Sequence, residues 1–467
     1  MNFIADSQHL PFRFMHKTVM EVAEENKVAQ VGRTTSRPEL DVVGSRPAHR
    51  PVAARPAAAP ISLLERPPGR RRDGAGGPAD VDHVVLDAGR VAETWRTRRW
   101  DSFCLVTPNW SVKLPGAEYA GPEPDGFMAR AELVAHIQGW ADEFHAPVQE
   151  NCAVAALDAD SKNFVLTTSS GKIRARKVVV ASGGYQRAHL PANSEQIPAT
   201  VTQLLAEEYS NPAALAPGAV LVIGSGQTGC QLAEELHNAG RKVFLSCGRC
   251  PWTPRRMGGH DIVWWIAETG FWQRTAAALP SPAARLLGNP QTTGRGGGYD
   301  LNYRTLHKVG VELVGHYLGA DGDRVRFADD LAQSIQAGDD LARGLMKWVM
   351  ALCETRGLPV PWEVPPPPGF TGRTELDLGA EGVTTVIWTS GYRPDYGWVH
   401  FPVFDDMGFP VQVDGRSSVP GLYFMGVHFQ RKAQSAVLYG VGEDAEIVAR
   451  DIVENTRPIP AFGGTSP

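Results

Sequence analysis

Cysteine is scarce in this chain, with six in 467 residues, too few for a disulfide-stapled fold at this length. No apolar run approaches the roughly 20 residues that a membrane-spanning helix needs. Met1 to Gln30 carries helical charges (Glu21, Glu24, Glu25, Lys27) where a secretory signal would have an apolar core. Basic residues are not in excess: the net charge of −5 argues against a nucleic-acid binder with a broad basic face. These absences point to a soluble, cytoplasmic protein with neither nucleic acid nor a membrane span in its expectations. The length allows two or three domains.

A local absence is more telling. From Ser45 to Asp80 there are seven Arg, seven Pro, eight Ala and no Lys. Proline at that density prevents a helix. Leu40-Asp41-Val42-Val43-Gly44 reads as the start of a first strand, yet no glycine motif follows it. Gly74-Ala75-Gly76-Gly77 has no strand before it and Pro78 after it. Two accounts compete, a disordered insertion and a stretch read out of frame in a GC-rich gene. The abrupt return of an ordinary pattern at Val81 favours the second.

The most informative stretch that is present runs from Ala219 to Cys230. A buried strand, Ala219-Val220-Leu221-Val222-Ile223, leads into Gly224-Ser225-Gly226-Gln227-Thr228-Gly229. A helical pattern follows, Gly240 closes it, and a second strand starts at Lys242-Val243-Phe244-Leu245. A GxGxxG in this strand–turn–helix–strand context reads as a dinucleotide site. Gly224 permits the tight turn, Gly226 lets a pyrophosphate approach the backbone, and Gly229 lets helix pack on strand. The helix N-terminus offers N–H groups and a positive dipole end to the phosphates.

An NAD or FAD site usually carries an acid about 20 residues past the glycines, for the ribose hydroxyls. Here the second strand runs into Ser246-Cys247-Gly248-Arg249 with no acid. Arg249 stands where a 2′-phosphate would be read, and a planar guanidinium suits a phosphate dianion. The expected cofactor is therefore NADPH. Arg255 and Arg256 follow closely and read as a solvated loop or as further phosphate contacts. Cys247 and Cys250 form a CxxC, open to a redox reading. Their place at the adenosine end argues against it, and no second CxxC or His pair completes a zinc site.

A second nucleotide site is partly visible upstream. His83-Val84-Val85-Leu86-Asp87 reads as a strand ending in a ribose-holding acid. Ala129 to His145 has helical spacing (Leu133, Ile137, Trp140, Phe144). Phe164–Thr168 and Lys177–Ala181 read as a strand pair with a turn at Ser170-Gly171, and Ser182-Gly183-Gly184 ends the second strand. Small residues at a strand end bring backbone close to a ligand. The pattern recurs at Val386–Gly391 and Gly421–Gly426. Asp444-Ala445 then opens an apolar helix, and Pro365–Pro368 reads as a stiff linker.

These pieces, in this order, resemble the bacterial flavin-containing-monooxygenase-like flavoproteins. The carrying residues are Gly89-Arg90-Val91-Ala92-Glu93-Thr94-Trp95-Arg96, Trp100-Asp101-Ser102, Thr107-Pro108-Asn109 and Val179–Tyr185. They continue with Gly224–Gly229, Thr389-Ser390-Gly391-Tyr392-Arg393-Pro394-Asp395 and Gly440–Ala445. The resemblance spans about residues 81–455. It implies an α/β fold of two interleaved Rossmann-type dinucleotide-binding domains, with the first strand–turn–helix of the FAD part degenerate. It also implies that Asp87 holds the FAD ribose, that Trp95 and Arg96 lie along the flavin with Ser182 and Gly183 against it, and that Asp444 and Ala445 lie near its ribityl chain. NADPH would reduce FAD, and the reduced flavin would activate dioxygen for a small-molecule substrate. Some relatives carry a potassium-transport label, which no membrane run or ion site here supports. Relatives also often have a histidine in the stretch matching Gln203-Leu204-Leu205-Ala206, where this chain has none.

The expected organisation is an extension (1–36), a first part of the FAD domain (37–200, with 45–80 irregular or disordered), an NADPH domain (201–380), a second FAD part (381–456) and a tail (457–467). Three functions compete: a monooxygenase, a reductase or oxidase without oxygen insertion, and a flavin-free nucleotide-binding relic. The expected partners are a small substrate and dioxygen, with homo-oligomer formation open.

Overall fold

The structure, a computed structural model, describes residues 83–455 apart from 144, 287–288, 362 and 364–368, together with the backbone of 61–64. The proposed first strand at Leu40–Gly44, the linker Pro365–Pro368, the N-terminal extension and the tail lie outside the described residues.

The chain builds two main sheets and passes from the first to the second and back. The second sheet has five strands in the order Thr202–Leu205, Val383–Trp388, Ala219–Ile223, Val243–Ser246, Glu312–Val314. All its pairings are parallel. A parallel sheet is covered on both faces, so its strands are apolar throughout, and every residue of Ala219–Ile223 is buried. Side chains alternate between the faces. Val220 and Val222 join the core under the helix Gln227–Asn238 with Cys230, Ala233 and Leu236. Leu221 and Ile223 join Phe244, Val314 and Trp388 on the other side. Each such buried Val, Leu or Ile contributes about 1.5–3 kcal/mol.

The first sheet has seven strands: Gln412–Val413, Arg416–Ser417, Leu422–Phe424, Lys177–Val180, Ile61–Leu64, His83–Leu86, Val148–Gln149. Leu422–Phe424 runs parallel to Lys177–Val180, and His83–Leu86 parallel to Val148–Gln149. Ile61–Leu64 fills the central slot between those pairs and runs antiparallel to both neighbours. Ile61 stands level with Leu86 and with Val180, so the chain enters the sheet at the edge where those two strands end. Among the described residues no helix is long and apolar enough to cross a membrane.

Several expectations need correction. The stretch 45–80 was expected to be irregular or disordered, yet Ile61–Leu64 forms a strand; its four apolar and small residues match an open slot between two apolar strands. The boundary at 380/381 misplaces Val383–Trp388, which pairs with Thr202–Leu205 and Ala219–Ile223 in the second sheet. Phe164–Thr168 does not pair with Lys177–Val180. It forms a hairpin with Gly171–Ala175, Thr168 opposite Gly171, because the tight turn returns the chain at once. Lys177–Val180 then leaves for the first sheet, where all four of its residues are buried. The last helix begins at Val441, three residues before Asp444.

Candidate functional site

The glycine loop is built as its sequence requires. Gly224 has φ +108, in the region that favours glycine. A Cβ there would lie 2.6 Å from the carbonyl of Thr389, and one at Gly229 would collide with the Gly224 carbonyl oxygen. At Gly226 the situation reverses, since a Cβ would meet nothing within 4 Å. Open space above Gly226 and tight contact behind Gly224 and Gly229 are what a pyrophosphate cradle requires. The helix starts at Gln227 with no side-chain cap, so the first-turn N–H groups of Gln227, Thr228 and Gly229 remain available to an anion. Gln227 reaches sideways and donates to the Pro290 carbonyl at 3.1 Å.

The turn after the strand Val243–Ser246 is tied to this loop. The Ser225 hydroxyl accepts from the Gly248 N–H at 2.9 Å and meets the Tyr303 hydroxyl at 2.9 Å, and Tyr303 donates to the Gly248 carbonyl at 2.5 Å. This lattice fixes the turn that carries Arg249, which is exposed and makes no hydrogen bond or ion pair to any described residue. Arg256 is also exposed and donates to the Gly297 carbonyl. Arg255 is not a solvated loop residue. It is 1% exposed and forms a bidentate pair with Asp261, at 2.5 Å from Nη2. Asp261 in turn caps the helix Ile262–Glu268 by accepting from the Val263 N–H. Cys247 and Cys250 are buried in the core, and burial pushes both thiols up, that of Cys250 to about 12. A thiol that stays protonated is a poor nucleophile.

At the first sheet, Asp87 follows Leu86 and accepts from the Gly89 N–H at 2.8 Å. Burial raises its carboxyl above the ordinary range, partly offset by that bond. Ser182 and Gly183 follow Val180, and Gly183 has φ +70. Gln186 ties them together by donating to the Ser182 hydroxyl and the Gly183 carbonyl. Asp444 is 1% exposed. One of its oxygens pairs with Arg431 at 2.9 Å, and the other, Oδ2, is buried without a partner. Ala445 packs beside it on Val179, Tyr423 and Met425.

A cavity of about 200 Å³ lies where the C-terminal edges of the two sheets meet. Ser182, Gly183 and Gly426 reach it from the first sheet, Glu207 and Tyr392 from the second, and Trp95 and Arg99 from the short helix Glu93–Thr97 and the turn after it. Ligand sites in open α/β sheets form at such strand ends. Arg96, expected along the flavin, does not line the cavity. It donates to the Val91 carbonyl and to Gln138, which holds its own helix against Arg130–Glu143.

At the flavin end the residues fit FAD. A ribityl hydroxyl would supply the donor that Asp444 Oδ2 lacks, the second carboxylate oxygen of Asp87 takes no hydrogen bond from a described residue, and Gly183 and Gly426 leave room for a ring. The pyrophosphate end does not fit. A dinucleotide cradle needs a central strand that ends at the ligand edge and runs into a helix N-terminus. Here the central strand begins at that edge.

Sequence reasoning missed Arg99, His428 and Glu207. Each stands on a loop, and only the folded chain brings the loops together. His428 follows Gly426 by two residues, and burial lowers its imidazole pKa, which keeps it neutral.

Comparison with known proteins gives a consistent picture. The family described as pyridine nucleotide-disulphide oxidoreductase matches residues 82–267. A Geobacillus kaustophilus protein described as an uncharacterized oxidoreductase, CzcO-like, is 29% identical over 374 residues, 80% of this chain and 91% of that one. A flavin monooxygenase from Stenotrophomonas maltophilia shares the fold at TM-score 0.51 and 19% identity, over 78% of this chain and 88% of that one. DfoA, an Erwinia amylovora cadaverine monooxygenase solved with FAD, aligns at TM-score 0.50 and 15% identity, over 82% and 92%. At those identities the two structures speak for the fold, an α/β dinucleotide-binding one.

Proposed function

We propose, taking this chain as a flavin-monooxygenase-like FAD/NAD(P) oxidoreductase, that it uses NADPH and FAD to oxygenate a small molecule. In this reading the two sheets are two interleaved dinucleotide-binding domains. The observation that carries it is the cavity at the meeting of both strand-end edges, in a chain whose second sheet also holds a glycine loop with the geometry of a phosphate cradle. Gly224 to Gly229 hold the NADPH pyrophosphate, and Arg249 takes the 2′-phosphate. Asp87 holds the FAD ribose, Trp95, Ser182 and Gly183 face the ring, and Asp444 with Ala445 meets the ribityl chain. When bound between these residues, FAD would supply the redox chemistry that links NADPH to dioxygen. The chain's own task is to orient both cofactors and exclude water. Trp95, packed on Phe103 at 5.5 Å, and the neutral His428, at 4.7 Å from Tyr185, form dry walls for that purpose.

Assay of NADPH oxidation with added FAD and labelled dioxygen tests the reading. Label in an organic product supports oxygenation, and stoichiometric peroxide with no labelled product supports an oxidase. The reversed central strand favours a second reading, a protein that binds NADPH and no longer retains flavin. NADPH binding without turnover at saturating FAD supports that one.

A further inference from the structure

The cavity wall holds a cation, Arg99, that makes no ion pair among the described residues. Arg99 packs its guanidinium over Trp95, 5.1 Å from the ring centroid, and over Phe103 at 5.9 Å. Its Nη1 donates to the Arg98 carbonyl at 2.7 Å. Among the described residues it makes no ion pair. The nearby carboxylate, Glu207, is committed to Arg98 at 3.4 Å. Burial is the main influence on Arg99 and works against its charge. Of the other titratable groups facing the cavity, Arg98 and Glu207 pair with each other, and desolvation favours the neutral forms of Tyr185, Tyr392 and His428. With two cations, Arg98 and Arg99, and one carboxylate, Glu207, the wall carries a net positive charge beside flat apolar surfaces from Tyr185 and Tyr392.

Arg99 is half-buried, and a charge partly withdrawn from water is costly unless it is paired. We propose that Arg99 is the anchor for the carboxylate of a small, flat organic acid, which is the substrate class of this cavity. The guanidinium fork binds a carboxylate through two N–H groups, and the aromatic walls take the apolar body. The inference deepens the oxygenase reading, since it names the substrate of the same cavity.

Calorimetric titration of the full chain with phenylacetate, phenylacetamide and phenethylamine tests it without turnover. The acid should bind at least about tenfold more tightly than the amide, the scale of one charged hydrogen bond, and the amine should bind most weakly. Arg99→Gln should remove the gap between acid and amide, and Arg99→Lys should keep part of it. NADPH affinity, measured on the same variants, should not move and so reports correct folding. Equal binding of acid and amide, no binding of the acid, or a gap that survives Arg99→Gln would overturn the proposal. So would a weaker affinity for added FAD in Arg99→Gln with the gap intact, which would assign Arg99 to the flavin. Failure of the oxygenase reading shows in the label experiment alone and leaves this binding result standing.

Discussion

Gly226→Ala and Gly229→Ala should separate the two tasks of the glycine loop. Gly226 has φ −64 and ψ −176, a conformation open to alanine, and its added Cβ would enter open space. The fold should lose nothing and gains ~0.4–1 kcal/mol from a stiffer unfolded chain. That open space is where the pyrophosphate would approach. A methyl group there displaces one or two N–H···phosphate bonds at ~1.5–3 kcal/mol each, which weakens NADPH by about 10–100-fold or more. Gly229 behaves oppositely. Its Cβ would collide with the Gly224 carbonyl oxygen and lie 2.8 Å from the Thr389 hydroxyl, so the helix must lift from its strand. Overpacking of this kind costs ~1–3 kcal/mol. Thermal melting and NADPH titration on both variants check the pair. A Gly226→Ala protein that binds NADPH as the wild type does would refute the cradle, and one that melts well below wild type would refute the open-space reading.

Arg249→Ala should weaken NADPH by about 1–3 kcal/mol and leave NADH nearly unchanged; equal losses for both nucleotides would remove the 2′-phosphate assignment. Cys247→Ser with Cys250→Ser should melt lower, because two core thiols become hydroxyls, yet keep its NADPH oxidation rate per folded molecule. A near-complete loss of turnover with normal NADPH affinity would revive the dithiol reductase. Asp444→Asn should weaken the affinity for added FAD through its buried Oδ2 site, while NADPH binding stays as in wild type; an unchanged affinity for added FAD would separate Asp444 from the ribityl chain.

The second sheet and its glycine loop were legible because local and global signals agree there. Five buried residues, a φ-positive glycine and a capless helix start follow one another without interruption. The strand Val383–Trp388 was placed on the wrong side of its boundary because a buried strand looks alike in either sheet; only pairing with Ala219–Ile223 decides. Arg255 was misread because its partner, Asp261, turns a loop cation into a core ion pair. Ile61–Leu64 could not be foreseen as a strand. Its flanking prolines argue for irregular chain, and what orders it is a vacant slot between Val180 and Leu86. Arg99, Glu207 and His428 come from three distant loops, so no spacing in the sequence joins them.

The reversed central strand makes the most direct claim, that one nucleotide site is complete and the other is not. Bound FAD by absorbance and NADPH binding by calorimetry, measured on the same purified chain, test it together. The account predicts NADPH binding with FAD far below one equivalent, and activity that appears only when FAD is added in excess. Among the described residues the central strand Ile61–Leu64 runs away from the ligand edge, and a cradle without a helix N-terminus loses ~0.3–2 kcal/mol of dipole stabilisation and ~1.5–3 kcal/mol for each N–H···phosphate bond. Stoichiometric FAD in the purified protein would contradict it, as would a chain that does not bind NADPH.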